Sequence, residues 1–272
     1  MEKNLPSETS RNQPEKNQSE SRVAIASGKT IGCKGAQFNN IAAIIFDKDG
    51  TLEDSLSFWR EVGIQRARIV DARIPGVGEP LLMAFGIQDN ILNPTGLMAV
   101  GSRQENEIAA AAYIAETGRS WGESLKIARE SFIEVAESKY LVKTAECAPL
   151  FPEVKSTLAN FHHAGLKIGI LSADSTSEVQ KFVKNHQLQQ YIDLSQGVDG
   201  KTFKPDPQLY IKACQALGVM PETTVMVGDS ALDIEMARAA GAAGAIGVNR
   251  QPNLMSLSGD RVVSNLSKIQ VL

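Results

Sequence analysis

Two carboxylates follow directly after a short apolar run near the start of the chain. Residues 41–46 read IAAIIF, a continuous apolar run typical of a strand buried on both faces. Asp47 and Asp49 then project to the same side of an extended chain, and Gly50 permits a sharp turn after them. Burying two acids costs free energy unless a cation or a reaction uses them. Because open parallel sheets hold ligands at the carboxyl ends of their strands, this pair predicts a functional site.

Further polar residues occupy equivalent places later in the chain. The apolar segment 167–172 ends on Ser172, where a hydroxyl and free backbone N–H groups at a strand-to-helix junction suit an anion. Lys204 lies just ahead of another predicted helix. Asp229 ends a third apolar strand, and Asp233 follows one helical turn later. Two more acids at a strand end complete a hard, oxygen-rich site that suits Mg²⁺.

The motif DKDGTL at residues 47–52, followed by Asp54 and Ser55, resembles the first signature of the haloacid dehalogenase superfamily of phosphatases. The later polar residues match the remaining signatures of that superfamily in order. The resemblance implies that Asp47 is a nucleophile that forms an aspartyl-phosphate. It also implies that Asp49 is the general acid that protonates the leaving group and then the base that activates water.

The same resemblance assigns roles to the later residues. Ser172 would bind the phosphate, and the charge of Lys204 would hold the nucleophile and the phosphoryl group together. A Mg²⁺ site is implied by four residues: the Asp47 carboxylate, the Asp49 backbone carbonyl, Asp229 and, in support, Asp233. Weaker substrate contacts are expected from three residues, namely Thr51, Ala173 and Arg103.

Helical patterns fill the chain between the first acidic strand end and the next strand, a stretch of domain size. Together with the resemblance, they predict an α/β fold with an inserted all-helical cap domain over residues 56–148. The Rossmann-like, parallel-sheet core would comprise residues 23–55 and 149–272. Residues 1–22 contain almost nothing to bury and predict a disordered tail.

Local patterns at the two ends of the core give further expectations. A small hairpin is predicted before the first core strand, with Thr30-Ile31 and Gln37-Phe38 as strand pieces. Residues 261–263 predict an edge strand, and the C-terminal residues predict a short helix. His186, near the end of a predicted helix, is interpreted as a surface or capping residue.

Composition narrows the class of partner. The 272 residues carry a formal net charge of -3 without a dense Lys/Arg block, which argues against nucleic acid. Three cysteines without a CxxC spacing suit reduced thiols in a cytoplasmic protein. No apolar run reaches the ~18 residues of a membrane span, which argues against the ion-pumping ATPases that share an aspartyl-phosphate signature. The expected partner is a small phosphorylated metabolite, bound by a monomer or homodimer.

Three functions remain open from the sequence. The first is Mg²⁺-dependent hydrolysis of a small phosphomonoester, with phosphoglycolate phosphatases as the most similar subgroup by cap position and by the Asp54-Ser55 extension. The second is a phosphomutase of the β-phosphoglucomutase kind, which shares nearly all these residues, although Thr51 after Gly50 favours a phosphatase. The third is a binding or regulatory protein that kept the fold and lost turnover.

Overall fold

A six-stranded sheet, parallel at every pair of neighbouring strands, forms the centre of the molecule. The computed structural model describes residues 28–198, 200, 202–250, 257 and 259–272, so the predicted tail, residues 1–22, lies outside the described residues. Across the sheet the strands are Arg261–Val263 (β10), Gly244–Val248 (β9), Thr224–Gly228 (β8), Ala43–Phe46 (β3), Lys167–Leu171 (β6) and Leu194–Gln196 (β7).

The first apolar run of the sequence lies in the middle of this sheet. β3 pairs with β8 on one side and β6 on the other, and all four of its residues are fully buried. Successive residues face opposite sides: Ile44 and Phe46 pack in one hydrophobic cluster, and Ala43 and Ile45 in the other. The continuous apolar pattern is explained because helices cover both faces of the sheet.

Four helices provide that cover. The cluster around Ile44 includes residues of Val154–His163 (α6) and Thr176–Asn185 (α7). The cluster around Ile45 includes residues of Pro207–Leu217 (α8) and Ala231–Ala239 (α9). Two short 3-10 turns, Pro221–Thr223 and Leu266–Lys268, complete the helical segments of the core.

A second, three-stranded antiparallel sheet joins the two ends of the described chain. Lys29–Cys33 (β1) and Ala36–Ile41 (β2) form the predicted hairpin. The predicted C-terminal helix is limited to the 3-10 turn Leu266–Lys268, and Ile269–Val271 (β11) after it pairs with β1. An extended backbone is favoured here because it buries the Ile269 side chain in the core. Pairing with β1 also gives the backbone N–H and C=O groups hydrogen-bond partners.

Residues 56–136, called the helical insert below, lie between β3 and α6. They comprise Leu56–Arg73 (α1), Gly78–Phe85 (α2), Leu97–Val100 (α3), Arg103–Ala115 (α4) and Trp121–Ala136 (α5). Their apolar faces form a hydrophobic cluster of their own. None of the helices in the described ranges is long and apolar enough to cross a membrane. That this insert is a separate cap domain stays a prediction.

The insert is not all-helical, which corrects the expectation from the sequence. Ile87–Gln88 (β4) and Ile91–Leu92 (β5) form a two-stranded antiparallel hairpin. The two residues between them, Asp89 and Asn90, have φ values of 50° and 60°. Asp and Asn tolerate this left-handed region, which a tight two-residue hairpin turn requires. The strands are too short for alternation to predict them.

The central position of β3 gives a stability prediction. Ile44→Ala should lower the free energy of unfolding by about 2–5 kcal/mol, because the change leaves a cavity beneath fully buried neighbours. Ile133→Ala is the matched control, since Ile133 is 45% exposed on α5 and should change the free energy by about 0.5 kcal/mol or less. Equilibrium unfolding in guanidinium chloride measures both, and equal losses would contradict a sheet core centred on β3.

Candidate active site

The carboxyl ends of three adjacent strands bring most of the predicted site residues together. Asp47 follows β3, Ser172 follows β6, and Asp229 follows β8. These ends open into one cavity of about 860 Å³. The cavity is lined by eight of the nine predicted residues: Asp47, Asp49, Arg103, Ser172, Ala173, Lys204, Asp229 and Asp233.

A buried ion pair links the predicted nucleophile to the predicted cation. Lys204 Nζ donates to Asp47 Oδ1 at 2.5 Å and lies 2.7 Å from Asp233 Oδ1. Burial raises the pKa of Asp47 to about 7, although Lys204 opposes this rise. Burial lowers the pKa of Lys204, but Asp233 and Asp47 outweigh that effect and raise it overall. Lys204 is therefore a fixed positive charge between two acids.

Three of the predicted acids form a compact group. One carboxylate oxygen from each of Asp47, Asp229 and Asp233 lies within 4.8 Å of the others. Burial raises the pKa of Asp229 well above its usual range, and the nearby charge of Asp47 raises it further. Lys204 is one ammonium against three acids, so the group carries an excess of negative charge once all three are ionised. Hard oxygen donors with excess negative charge fit a divalent cation such as Mg²⁺.

Local backbone geometry shapes this acidic group. Gly50 has a φ of 72°, and a Cβ atom there would meet Asp229 Oδ2 at 2.0 Å. Asp233 is fully buried and forms a reciprocal capping box with Ser230 at the start of α9. Asp233 therefore combines two functions: it complements the helix N-terminus, and it lies in the acidic group.

The Asp49 side chain lies in a separate network of cations. Lys48 donates to one of its oxygens, while Lys143 Nζ and Trp59 Nε1 donate to Oδ1 at 2.6 Å and 2.8 Å. Burial raises the pKa of Asp49, but Lys143 and Lys48 outweigh it and hold the pKa well below its usual range. This arrangement favours the ionised carboxylate, which is the form that accepts a proton. The Asp49 carboxylate is not in the three-acid group, in line with the expected use of its backbone carbonyl.

Five residues around Asp49 were not identified from the sequence: Lys48, Glu53, Lys143, Asp174 and His186. Buried Lys48 also contacts Glu53 Oε1 at 2.8 Å and Asp174 Oδ2 at 3.0 Å. Lys143 Nζ lies 2.5 Å from the same Glu53 oxygen. The position of Lys48 between two acids was an available signal, because a buried lysine needs carboxylate partners. No local pattern marks Lys143, which is 94 residues from Asp49 in the chain.

His186 corrects another expectation. It is the C-cap of α7, as one of the two expectations had it, but it is buried and not on the surface. Its Nε2 lies 3.5 Å from Glu53 Oε2, and its ring lines the cavity. The sequence did not predict this position because the partner carboxylate belongs to a distant turn.

The three weaker substrate predictions have different outcomes. Ala173 lines the cavity beside Ser172, and Arg103 lines it from α4 with its Nε donating to Glu107 at 2.9 Å. Thr51 does not line the cavity, and this corrects its predicted substrate contact. It is fully buried, and its carbonyl oxygen accepts a hydrogen bond from Arg250 at 2.8 Å. Thr51 therefore supports the turn after the acids.

Known proteins with similar sequences and folds include phosphatases and a mutase. A phosphoglycolate phosphatase from Yersinia pestis is 31% identical over 211 residues, which cover 75% of this chain and 80% of the relative. The crystal structure of a predicted phosphoglycolate phosphatase from Haemophilus somnus matches 84% of this chain and 96% of that chain, with a TM-score of 0.62 and 20% identity. β-Phosphoglucomutase from Clostridium difficile matches 84% of this chain and 92% of that chain, with a TM-score of 0.54 and 20% identity.

The match to a family model covers the central part of the chain. The model of the haloacid dehalogenase-like hydrolases matches residues 41–241, from the first core strand to the end of α9. This range includes the acidic group, the Lys204 ion pair and the whole helical insert. The resemblance noted in the sequence is confirmed, and the parallel-sheet fold agrees with it. The chain belongs to the haloacid dehalogenase-like hydrolases.

Proposed function

We propose that this protein is a Mg²⁺-dependent phosphatase that hydrolyses a small phosphomonoester through an aspartyl-phosphate. The observation that carries the proposal is the buried ion pair between Lys204 Nζ and Asp47 Oδ1, which are 2.5 Å apart. The carboxylates of Asp229 and Asp233 lie beside this pair. A carboxylate held against a cation at the end of a central strand suits attack on a phosphoryl group, because the cation offsets the charge of both. The relatives named phosphoglycolate phosphatase support a small, acidic substrate of that kind.

The first half-reaction forms one bond to phosphorus, breaks another and transfers one proton. A carboxylate oxygen of Asp47 attacks phosphorus in line, an O–P bond forms, and the bond to the ester oxygen breaks. Asp49 gives its proton to the departing oxygen, so it must carry that proton first. Because Lys48 and Lys143 favour the ionised form, their contacts with Asp49 must weaken when substrate binds. Lys204 and the Ser172 hydroxyl hold the charged phosphoryl oxygens.

The second half-reaction regenerates the enzyme. Asp49, now ionised, accepts a proton from water as the water oxygen attacks phosphorus, and the bond to Asp47 breaks with release of inorganic phosphate. Asp47, Asp229 and the backbone carbonyl of Asp49 would hold Mg²⁺, with Asp233 in support. When bound, that ion supplies positive charge to the phosphoryl oxygens.

Removal of the nucleophile should abolish turnover. We expect p-nitrophenyl phosphate hydrolysis with Mg²⁺ to fall about 10³-fold or more in Asp47→Asn, because the amide cannot form the acyl phosphate. The matched control is Asp89→Asn, the same chemical change in the exposed β4–β5 turn, where Asn suits the positive φ. A chelator should abolish the wild-type rate.

Two results would contradict the proposal. Equal turnover by wild type and Asp47→Asn would exclude this residue as the nucleophile. A protein that releases no phosphate but interconverts glucose 1-phosphate and glucose 6-phosphate would be a mutase. Phosphate release and hexose-phosphate exchange are therefore measured on the same preparation.

The close approach of Gly50 to Asp229 gives a prediction for the cation. Gly50→Ala should weaken Mg²⁺ binding about 10-fold or more, because the new methyl group displaces an Asp229 oxygen. Gly76→Ala is the matched control: its φ is 92°, so it carries similar backbone strain, but no atom lies within 4 Å of the added Cβ. Titration calorimetry with Mg²⁺ measures both variants. Equal affinities would exclude Asp229 as a ligand.

A further inference from the structure

The helical insert buries one arginine without an anionic partner. Arg66 on α1 is only 7% exposed, and its Nε is buried without a hydrogen bond. Its guanidinium Cζ lies 4.3 Å from the centre of the Phe132 ring, and one N–H donates to the Met98 sulfur at 3.7 Å. Among the described residues, no carboxylate forms an ion pair with Arg66. By contrast, Lys48 and Lys204, the two strongly buried lysines that line the cavity, each pair with at least two carboxylates.

Glu107, the acid with the largest effect on the pKa of Arg66, already forms ion pairs with two other arginines. Glu107 accepts from Arg103 Nε at 2.9 Å, and its second oxygen lies 3.5 Å from Arg129 Nε. Burial, followed by the like charge of Arg103, lowers the pKa of Arg66 to about 10, which Glu107 and Asp174 only partly oppose. The guanidinium therefore carries a buried charge that the protein itself leaves largely uncompensated.

Arg66 faces the same cavity as the predicted nucleophile. It lines the 860 Å³ cavity together with Asp47 and with Asn106 of the insert. Asn106 Oδ1 is also buried without a partner, while its amide nitrogen donates to the Ser102 carbonyl at 2.8 Å. Two residues of the insert that line the cavity thus each have a buried polar atom without a partner, one a donor and one an acceptor. Buried polar atoms without partners favour a ligand that supplies them.

We propose that Arg66 binds a second anionic group of the substrate, so that the enzyme selects phosphomonoesters that also carry a carboxylate or a second phosphate. This inference rests on the proposed phosphatase function and adds the substrate class. A guanidinium forms paired hydrogen bonds with the two oxygens of either anion. A phosphomonoester without a second anionic group leaves Arg66 unpaired, and sites built around a buried polar group reject such analogues strongly.

The test compares substrates that differ in one charged group. Phosphoglycolate is paired with 2-hydroxyethyl phosphate, 3-phosphoglycerate with glycerol 3-phosphate, and fructose 1,6-bisphosphate with fructose 6-phosphate. We expect the wild type to show at least about 100-fold higher kcat/KM for the member of one pair that carries the second anionic group. The pair that shows this preference distinguishes a carboxylate from a second phosphate.

Arg66→Met removes the charge while keeping a side chain that packs against Phe132 and Met98. It should lower kcat/KM about 100-fold for the substrate with the second anionic group and leave kcat/KM for the other member of the pair within about 3-fold. Arg66→Lys should recover part of the lost kcat/KM, since lysine restores the positive charge but lacks the paired N–H donors of the planar guanidinium. Arg68→Met is the control, because it removes an exposed arginine from the same helix. Equal losses for both substrates, or no wild-type preference in any pair, would overturn the proposal.

A binding measurement tests the role of Arg66 independently of hydrolysis. Calorimetry with Mg²⁺ compares phosphonoacetate, which carries a carboxylate, and methylenebisphosphonate, which carries a second phosphonate, with ethylphosphonate, which carries neither. We expect the wild type to bind one of the two doubly anionic ligands at least about 10-fold more tightly, and Arg66→Met to lose that difference. Equal affinities, or no binding of any of the three, would overturn the role of Arg66. A protein that shows the preference but hydrolyses no ester would overturn only the proposed phosphatase function.

Discussion

The structure depends on the close approach of three carboxylates, two of them buried and one half-buried, at the end of a parallel sheet. Asp47, Asp229 and Asp233 lie within 4.8 Å of one another, and among the described residues Lys204 is the one ammonium paired within this group. Apolar strands and helices fix these positions, so the acids cannot separate to relieve their repulsion. The energy of folding thus holds the site in a state that a cation and a phosphoryl group would stabilise.

A second charged network surrounds Asp49. It differs from the first network, the three acids with Lys204, in its ratio of positive to negative groups. Lys48 and Lys143 face three carboxylates, those of Asp49, Glu53 and Asp174, so this network has two cations for three acids. The first network has excess negative charge, and the guanidinium of Arg66 adds an uncompensated positive charge elsewhere in the same cavity. Different parts of one cavity therefore suit different parts of a ligand: a cation at the acids and an anion at the insert.

Much of this arrangement could be predicted from the sequence because it depends on local patterns. Strand β3, the acids after it and the order of the later site residues follow from apolar runs that end in polar residues. The β11 strand, the position of Lys143 and the isolation of Arg66 depend on contacts between residues far apart in the chain, which no local period encodes. The Asp89-Asn90 turn did carry a local signal, but its strands were too short to show alternation.

The chain crosses between the core and the helical insert twice, and both crossings contact the same carboxylate. Trp59 lies just after the first crossing and Lys143 lies within the second, and each donates to Asp49 Oδ1. Any displacement that lengthens these contacts raises the proton affinity of Asp49. By thermodynamic reciprocity, binding a proton at Asp49 favours that displacement to the same extent. Displacement of these two contacts and protonation of Asp49 are therefore a single coupled equilibrium.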